Sequence, residues 1–246
     1  MNDLFIYIVI GFGAQLVDGA LGMAFGVIST TLLIGSGVPP AAASAGVHLA
    51  ECVTTGVSGL GHAIARNIDW ALFRRLVLPG LAGGIVGAYA LSSIDASVAK
   101  PVVLLYLLCI GAILVYRAAR YPPTPKTPKY VSPVGFAGGL LDAAGGGGWG
   151  PVVTSNLLIQ GSTPRTTVGT VNSAEFFLTI TISVTFLLTL GFETFTRASL
   201  GLIIGGVLAA PIGPVLLRII PPRPLLLMAG SVIILTSAYG IWKAWG

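Results

Sequence analysis

Residues 135–175 read GFAGGLLDAAGGGGWGPVVTSNLLIQGSTPRTTVGTVNSAE, and residues 11–51 read GFGAQLVDGALGMAFGVISTTLLIGSGVPPAAASAGVHLAE. An offset of 124 lays one on the other without a gap, with about a third of the positions identical. Asp18 falls on Asp142, Gly22 on Gly146, Gly26 on Gly150, Thr30 on Thr154, Pro40 on Pro164 and Glu51 on Glu175. Stretches rich in glycine and alanine match by chance in their small residues, but not in both acids. Duplication is the better account, and internal duplication is a common plan of membrane transporters.

Apolar residues flank these stretches on both sides. They make up 54% of the 246 residues, charged residues only 9%, and the mean hydropathy is +0.93. An ordinary soluble domain carries roughly a quarter charged residues. The apolar runs cover approximately 4–36, 39–64, 72–91 and 97–117, then 132–161, 164–190, 198–219 and 224–245. Each is long enough for the ~20 residues that a helix needs to cross the hydrocarbon core. Between the two sets lies RYPPTPKTPKY, residues 120–130, whose prolines and lysines disfavour helix and membrane alike. The expected fold is therefore an all-α integral membrane protein of two homologous four-segment repeats, residues 1–119 and 132–246, joined by a Pro/Lys linker over 120–131.

The first segment of each repeat is expected to be broken or re-entrant. Residues 4–36 would make nearly 50 Å of helix, against a core of about 30 Å. Gly19, Gly22 and Gly26 interrupt the first copy, and Gly145 to Gly148, Trp149, Gly150 and Pro151 stand in a row in the second. Glycine weakens helix interiors and proline suits helix starts. Counting cations favours re-entry slightly: ten Lys and Arg then share one face against three, rather than nine against four. Three full crossings per repeat would make the repeats inverted.

The thirteen cations sit at segment ends or between segments, without interleaved aromatics, so the net charge of +5 reads as positive-inside topology and not as a nucleic-acid surface. Cys52 and Cys109 are far apart in apolar runs and lack disulfide or metal spacing. Residues 1–16 lack a basic leader and a cleavage site, and read as a retained first segment. Trp70, Trp242 and Trp245 near segment ends suit interfacial anchors. Gly80, Gly83, Gly84 and Gly87, echoed by Gly201, Gly205 and Gly206, suit tight helix contacts.

Four of the eight carboxylates, Asp18, Glu51, Asp142 and Glu175, lie inside apolar segments. Glu51 and Glu175 fall about 18 and 16 Å along helices that start at Pro39 and Pro164. An ionised group at that depth costs at least ~2.5 kcal/mol, so such residues usually face a cavity or a partner. Asp18 and Asp142, beside the glycine breaks, suit either that role or the cap of the following half-helix. His48 precedes Glu51 by one turn, and Asn172 takes its place in the second repeat. These six, Asp18, His48, Glu51, Asp142, Asn172 and Glu175, form the candidate proton or coupling set.

Bare amides at a half-helix start attract anions, and glycine lets a ligand approach closely, although GGGG also serves helix packing. Gly145, Gly146, Gly147, Gly148, Trp149 and Gly150 are therefore the candidate substrate contacts. Thr30, Thr31, Thr154, Ser155 and Asn156 add donors one turn beyond each break. Carboxylates suggest a cation or a proton and half-helix starts suggest an anion; proton-coupled anion movement satisfies both.

These residues resemble the sulfite exporter TauE/SafE family of membrane permeases. The likeness rests on QLVDGALGMAFGVISTTLL and ASAGVHLAECVTTGVSGLGH in the first repeat, and on GGLLDAAGGGGWGPVVTSNLLIQGSTPR and VGTVNSAEFF in the second. The resemblance implies a multi-pass protein of the cytoplasmic membrane that exports sulfite, organosulfonate or a related sulfur oxyanion. It also matches Pro164 and Arg165 to the family's loop after the second break, where a cation would draw an anion to the cavity mouth. Leu21, Met23, Ala24 and Phe25 replace much of the family's first glycine cluster, so the tetraglycine is the expected ligand contact. A small anionic substrate and the lipid bilayer are the expected partners, a homodimer suits so small a transporter, and no cofactor or metal is expected. The alternatives are a cation transporter or channel using the same acids, or an intramembrane enzyme built on His48, Glu51 and Cys52. The last has at most two metal ligands in register.

Overall fold

The structure is a computed structural model that describes residues 2–21, 23–119, 127–154, 156–157, 160–194, 197–210 and 222–245. It is all-helical among these residues. The linker expected over 120–131 is described only from residue 127, and Ser155 lies outside the described residues.

The long first segment breaks as its glycines require. Helix α1 (Asn2–Leu21) ends, Ala24 takes a left-handed φ of 95°, and α2 (Phe25–Gly35) begins. Helix α3 (Pro40–Ile64) starts on Pro40, where a missing N–H costs nothing. Asp69 caps α4 (Trp70–Ser93) by accepting from the amides of Ala71 and Leu72 at 2.9 and 3.0 Å, and α5 (Ala96–Ala119) follows. The second broken segment is α6 (Val131–Gly145), a turn with Gly146 at φ 68° and Gly147 at φ 144°, and then a short π-helix, Trp149–Thr154. Positive φ at two successive positions is a conformation that glycine alone adopts cheaply. Helix α7 (Pro164–Leu190) again begins on proline; α8 (Arg197–Ala209) and α9 (Pro222–Trp245) complete the chain.

Three helices are long and apolar enough to cross a bilayer among the described residues, at 70–93, 96–116 and 166–190; shorter apolar helices cover 4–18, 25–35, 197–209 and 230–242. Their outward faces carry bare Leu78, Leu105, Leu188 and Leu235, each more than half exposed, which only a lipid environment tolerates in such number.

The helices pair crosswise. Helix α4 packs along α6, and α1 along α8; α3 lies on α7, and α5 on α9. Glycines make the two cross pairs close. A Cβ at Gly135 would lie 2.8 Å from the Leu76 carbonyl oxygen, and one at Gly11 would lie 2.6 Å from that of Leu202. Gly83, Gly87, Gly201 and Gly205 likewise have backbone or Cβ atoms of the opposing helix where a side chain would be, the small-residue contact that substitutes for hydrophobic driving force in lipid. Trp70 and Trp242 stand exposed near helix ends.

Candidate functional site

The two breaks meet in the interior. A Cβ on Gly26, at the start of α2, would lie 2.8 Å from Gly147 Cα, 3.3 Å from the Gly146 carbonyl oxygen and 3.0 Å from Glu51 Oε1. Only hydrogen at Gly26 lets these three converge. The Thr30 hydroxyl, one turn into α2, donates to the Gly146 carbonyl. The position 124 residues on, Thr154, is buried with its hydroxyl unpartnered among the described residues; the Gly22 that would be its counterpart acceptor lies outside them.

Helix α3 brings Ser44, His48, Glu51 and Thr55 to one face, since residues 4, 7 and 11 apart fall on one side of a helix. All four are buried. Ser44 donates to the Ala143 carbonyl at 2.7 Å. His48 Nδ1 faces the Ser44 carbonyl at 2.7 Å and Nε2 faces Asp142 Oδ2 at 3.0 Å. A carbonyl only accepts, so Nδ1 carries a proton. The contact to Oδ2 needs one further proton, on the imidazole or on the carboxyl, so the pair shares it. Neither side chain reaches solvent.

Asp142 ties the whole second break together. Its backbone carbonyl accepts from the amides of Gly146 and Gly147, its Oδ1 from the Trp149 amide at 2.8 Å, and its Oδ2 meets His48. At the matching position Asp18 Oδ1 accepts from the Phe25 amide at 3.3 Å. Both aspartates thus cap the element that begins seven residues later, each offering an acceptor oxygen to an amide at its start.

Glu51 Oε2 is buried with no partner among the described residues, and the side chain is only 4% exposed. Glu51 lies within electrostatic reach of Asp142, Glu175 and Asp18, and Glu175 within reach of both aspartates. All four intramembrane acids expected from the sequence therefore gather in one region. Among the described residues no Lys or Arg forms an ion pair with any of them. No group of three or more His, Cys, Asp or Glu side chains among the described residues has the arrangement of a metal site.

Other candidates lie elsewhere or are already engaged. Thr31 bonds the Val27 carbonyl of its own helix at 2.6 Å. Asn172 donates to Ser58 at 3.1 Å, and no bond from it to Asp18 mirrors that of His48. Asn156 is exposed and accepts from Gln160. Trp149 is wholly buried, donates Nε1 to the Val171 carbonyl at 3.1 Å, and lays its ring where a Cβ of Gly80 would be, 2.6 Å away. Gly145 and Gly148 lie against the Tyr106 ring, and Gly150 is buried in the π-helix. The Arg165 side chain lies outside the described residues. Sequence reasoning missed Ser44 and Tyr106. The spacing of Ser44 four residues before His48 was a usable signal; Tyr106, one aromatic in the apolar run of α5, offered none.

Comparison with known proteins gives the family. The sequence model of the family described as "Sulfite exporter TauE/SafE" matches residues 7–240. The chain is similar to the "Probable membrane transporter protein YtnM" of Bacillus subtilis (strain 168), 41% identical over 254 aligned positions that cover 100% of this chain and 85% of that protein. No solved structure matches. A match over nearly the whole length, on a helical frame whose two breaks and four intramembrane acids meet in its interior, leads to one conclusion: the chain belongs to the TauE/SafE family of multi-pass membrane transporters.

Proposed function

We propose that this transporter moves sulfite, an organosulfonate or a related sulfur oxyanion out of the cytoplasm, with protons carried by the intramembrane acids. The observation that carries the proposal is the meeting of the two breaks around Glu51, with its unpartnered Oε2 and the shared proton of His48 and Asp142 beside it. Buried polar atoms without partners call for a ligand or water. Among the described residues Glu51 Oε2, Ser29 Oγ and Thr154 Oγ1 are such atoms. An oxyanion entering a region that holds four acids and, among the described residues, no Lys or Arg paired with them is repelled while those acids are ionised. It enters when they are protonated, which makes proton movement a condition of anion movement. The family's name points to the sulfur oxyanion, and the break glycines allow close backbone approach.

The architecture proposed with this function is two inverted repeats, residues 1–119 and 132–246, with the 120–131 linker between them. Its support is reciprocity. The α4 to α6 pairing is matched by α1 to α8, the α4 to α7 contact by α3 to α8, and the aspartate caps by each other. The two remaining pairs, α3 with α7 and α5 with α9, bring together helices at corresponding places in the two sequences, as a two-fold axis between them requires.

Purified protein in liposomes loaded with sulfite tests the function. Saturable efflux that responds to an imposed pH gradient is expected. Sulfite efflux indifferent to the gradient removes proton coupling. The second reading, cation transport, draws on the carbonyls of Gly146 and Gly147 beside the acids. Thermal stabilisation by metal cations and none by sulfite would put it in first place.

A further inference from the structure

The second break is braced by a side chain from α5. Tyr106, on α5, donates its hydroxyl to the Gly147 carbonyl at 3.1 Å. Its ring lies along the tetraglycine: a Cβ on Gly145 would stand 2.5 Å from Tyr106 Cδ1, and one on Gly148 would strike the hydroxyl while remaining 3.4 Å from Cζ. The glycines at 145 and 148 are thus the space in which the phenol sits. Gly146 and Gly147 between them hold φ values of 68° and 144°, which no regular helix supports. A bond to the carbonyl of Gly147 fixes the orientation of the peptide joining Gly147 to Gly148; Gly147 Cα, where that peptide begins, stands against Gly26 in the facing break, and Glu51 Oε1 lies on the same side of Gly26.

An offset of 123 aligns Pro101 with Pro224 and Tyr116 with Tyr239, and so places Ala229 opposite Tyr106. With Asn172 in the place of His48 and Ala229 in that of Tyr106, the sequence repeats neither the imidazole nor the phenol at the positions that correspond to them.

We infer that Tyr106 is a positioning residue of the transport cycle: its hydroxyl and ring hold Gly145 to Gly148 in the backbone conformation that presents the second break to Gly26 and Glu51. The inference rests on the transport reading above for its consequence, but its geometry is testable without a substrate.

The test compares wild type, Tyr106→Phe, Gly148→Ala and the double variant, by sulfite efflux from liposomes and by amide hydrogen exchange over residues 142–154. Tyr106→Phe keeps the ring and removes one interhelical hydrogen bond, so it should melt with wild type, exchange faster over this segment, and lower maximal efflux about fivefold. Gly148→Ala places a methyl on the phenol oxygen and should impair efflux more. The double variant should recover efflux above Gly148→Ala alone, because the added methyl then fits where the hydroxyl was. The inference is overturned if the double variant is no better than Gly148→Ala. It is equally overturned if Tyr106→Phe changes exchange without changing efflux, which would make the contact structural only. Should wild type move no sulfite at all, the substrate reading fails; unchanged exchange in Tyr106→Phe would then overturn the clamp independently, and faster exchange with recovery in the double variant would sustain it.

Discussion

Replacing Asp142 by Asn and by Ala separates its hydrogen bonds from its proton. Asparagine keeps Oδ1 for the Trp149 amide, now 2.8 Å away, and presents an Nδ2 donor to His48 Nε2 at the present 3.0 Å. That nitrogen is free to accept, because Nδ1 carries the imidazole proton toward the Ser44 carbonyl. Every buried group keeps a partner, so the change in stability should stay below about 0.5 kcal/mol. Alanine strands the Trp149 amide and His48 Nε2 together. A stranded buried group costs about 1–3 kcal/mol in soluble proteins, whereas interhelical bonds in bilayers average about 0.6 and reach about 1.7 kcal/mol. Two bonds on the membrane scale give a loss of about 1–3 kcal/mol. Unfolding in mixed micelles of rising denaturing detergent measures both variants. Efflux under a pH gradient should be impaired in Asp142→Asn despite its intact fold, since the shared proton is gone. Equal destabilisation by Asn and Ala would refute the reasoning, because it would mean that charge at Asp142, and not its hydrogen bonds, holds the break together.

Gly147→Ala should yield little folded protein: the position has φ 144°, and the new Cβ would stand 2.8 Å from Gly26 Cα and closer still to other backbone atoms, which cannot turn aside as a side chain does. Gly13→Ala, with nothing within 4 Å of its Cβ, is the control that should express normally; size-exclusion profiles of fluorescent fusions compare the two. Glu51→Gln preserves shape beside Gly26 but holds its own NH2 protons permanently, so efflux should persist at a reduced rate and lose most of its response to a pH gradient. An unaltered response in liposomes would remove Glu51 from the proton path. Ser97→Ala should raise the titration of Asp95, whose carboxyl the Ser97 hydroxyl and amide hold below the usual 3.8. Asp95 stabilises the start of α5 above that value and loses the effect as pH falls through its own lower pKa. The variant should therefore fray this helix end at a higher pH, read by amide exchange between pH 3 and 5.

The breaks were legible in the sequence because their cause is local. Glycine at 146 and 147 permits positive φ, proline at 40 and 164 permits a helix to start, and an aspartate before each break finds an amide seven residues on. The gathering of Asp18, Glu51, Asp142 and Glu175 was legible for a related reason, since acids within apolar segments have few places to go in lipid. What the sequence left open depends on the other stretch of chain. Tyr106 reads as one more apolar residue until α5 is set beside the tetraglycine. The bond of Ser44 to Ala143 spans 99 positions, and nothing near Ser44 announces it. Likewise the glycines of the two breaks read equally well as a ligand cradle or as packing. The structure shows packing at Gly145 to Gly148 in this conformation, with two of the amides already bound to Asp142, and the role in substrate contact is a matter for the flux experiments.

The crosswise pairing of α4 with α6 and α1 with α8 bears on biogenesis. When the ribosome has delivered only the first five helices, the grooves at Gly11, Gly80, Gly83 and Gly87 have none of the neighbours that fill them in the finished molecule. The nascent protein must wait in the membrane, incompletely assembled, until translation has carried its later helices across the proline-rich connection. Quality-control proteases that sense unfilled helix surfaces therefore have their opportunity during that pause, and a stop codon before Leu202 leaves the groove at Gly11 open for good.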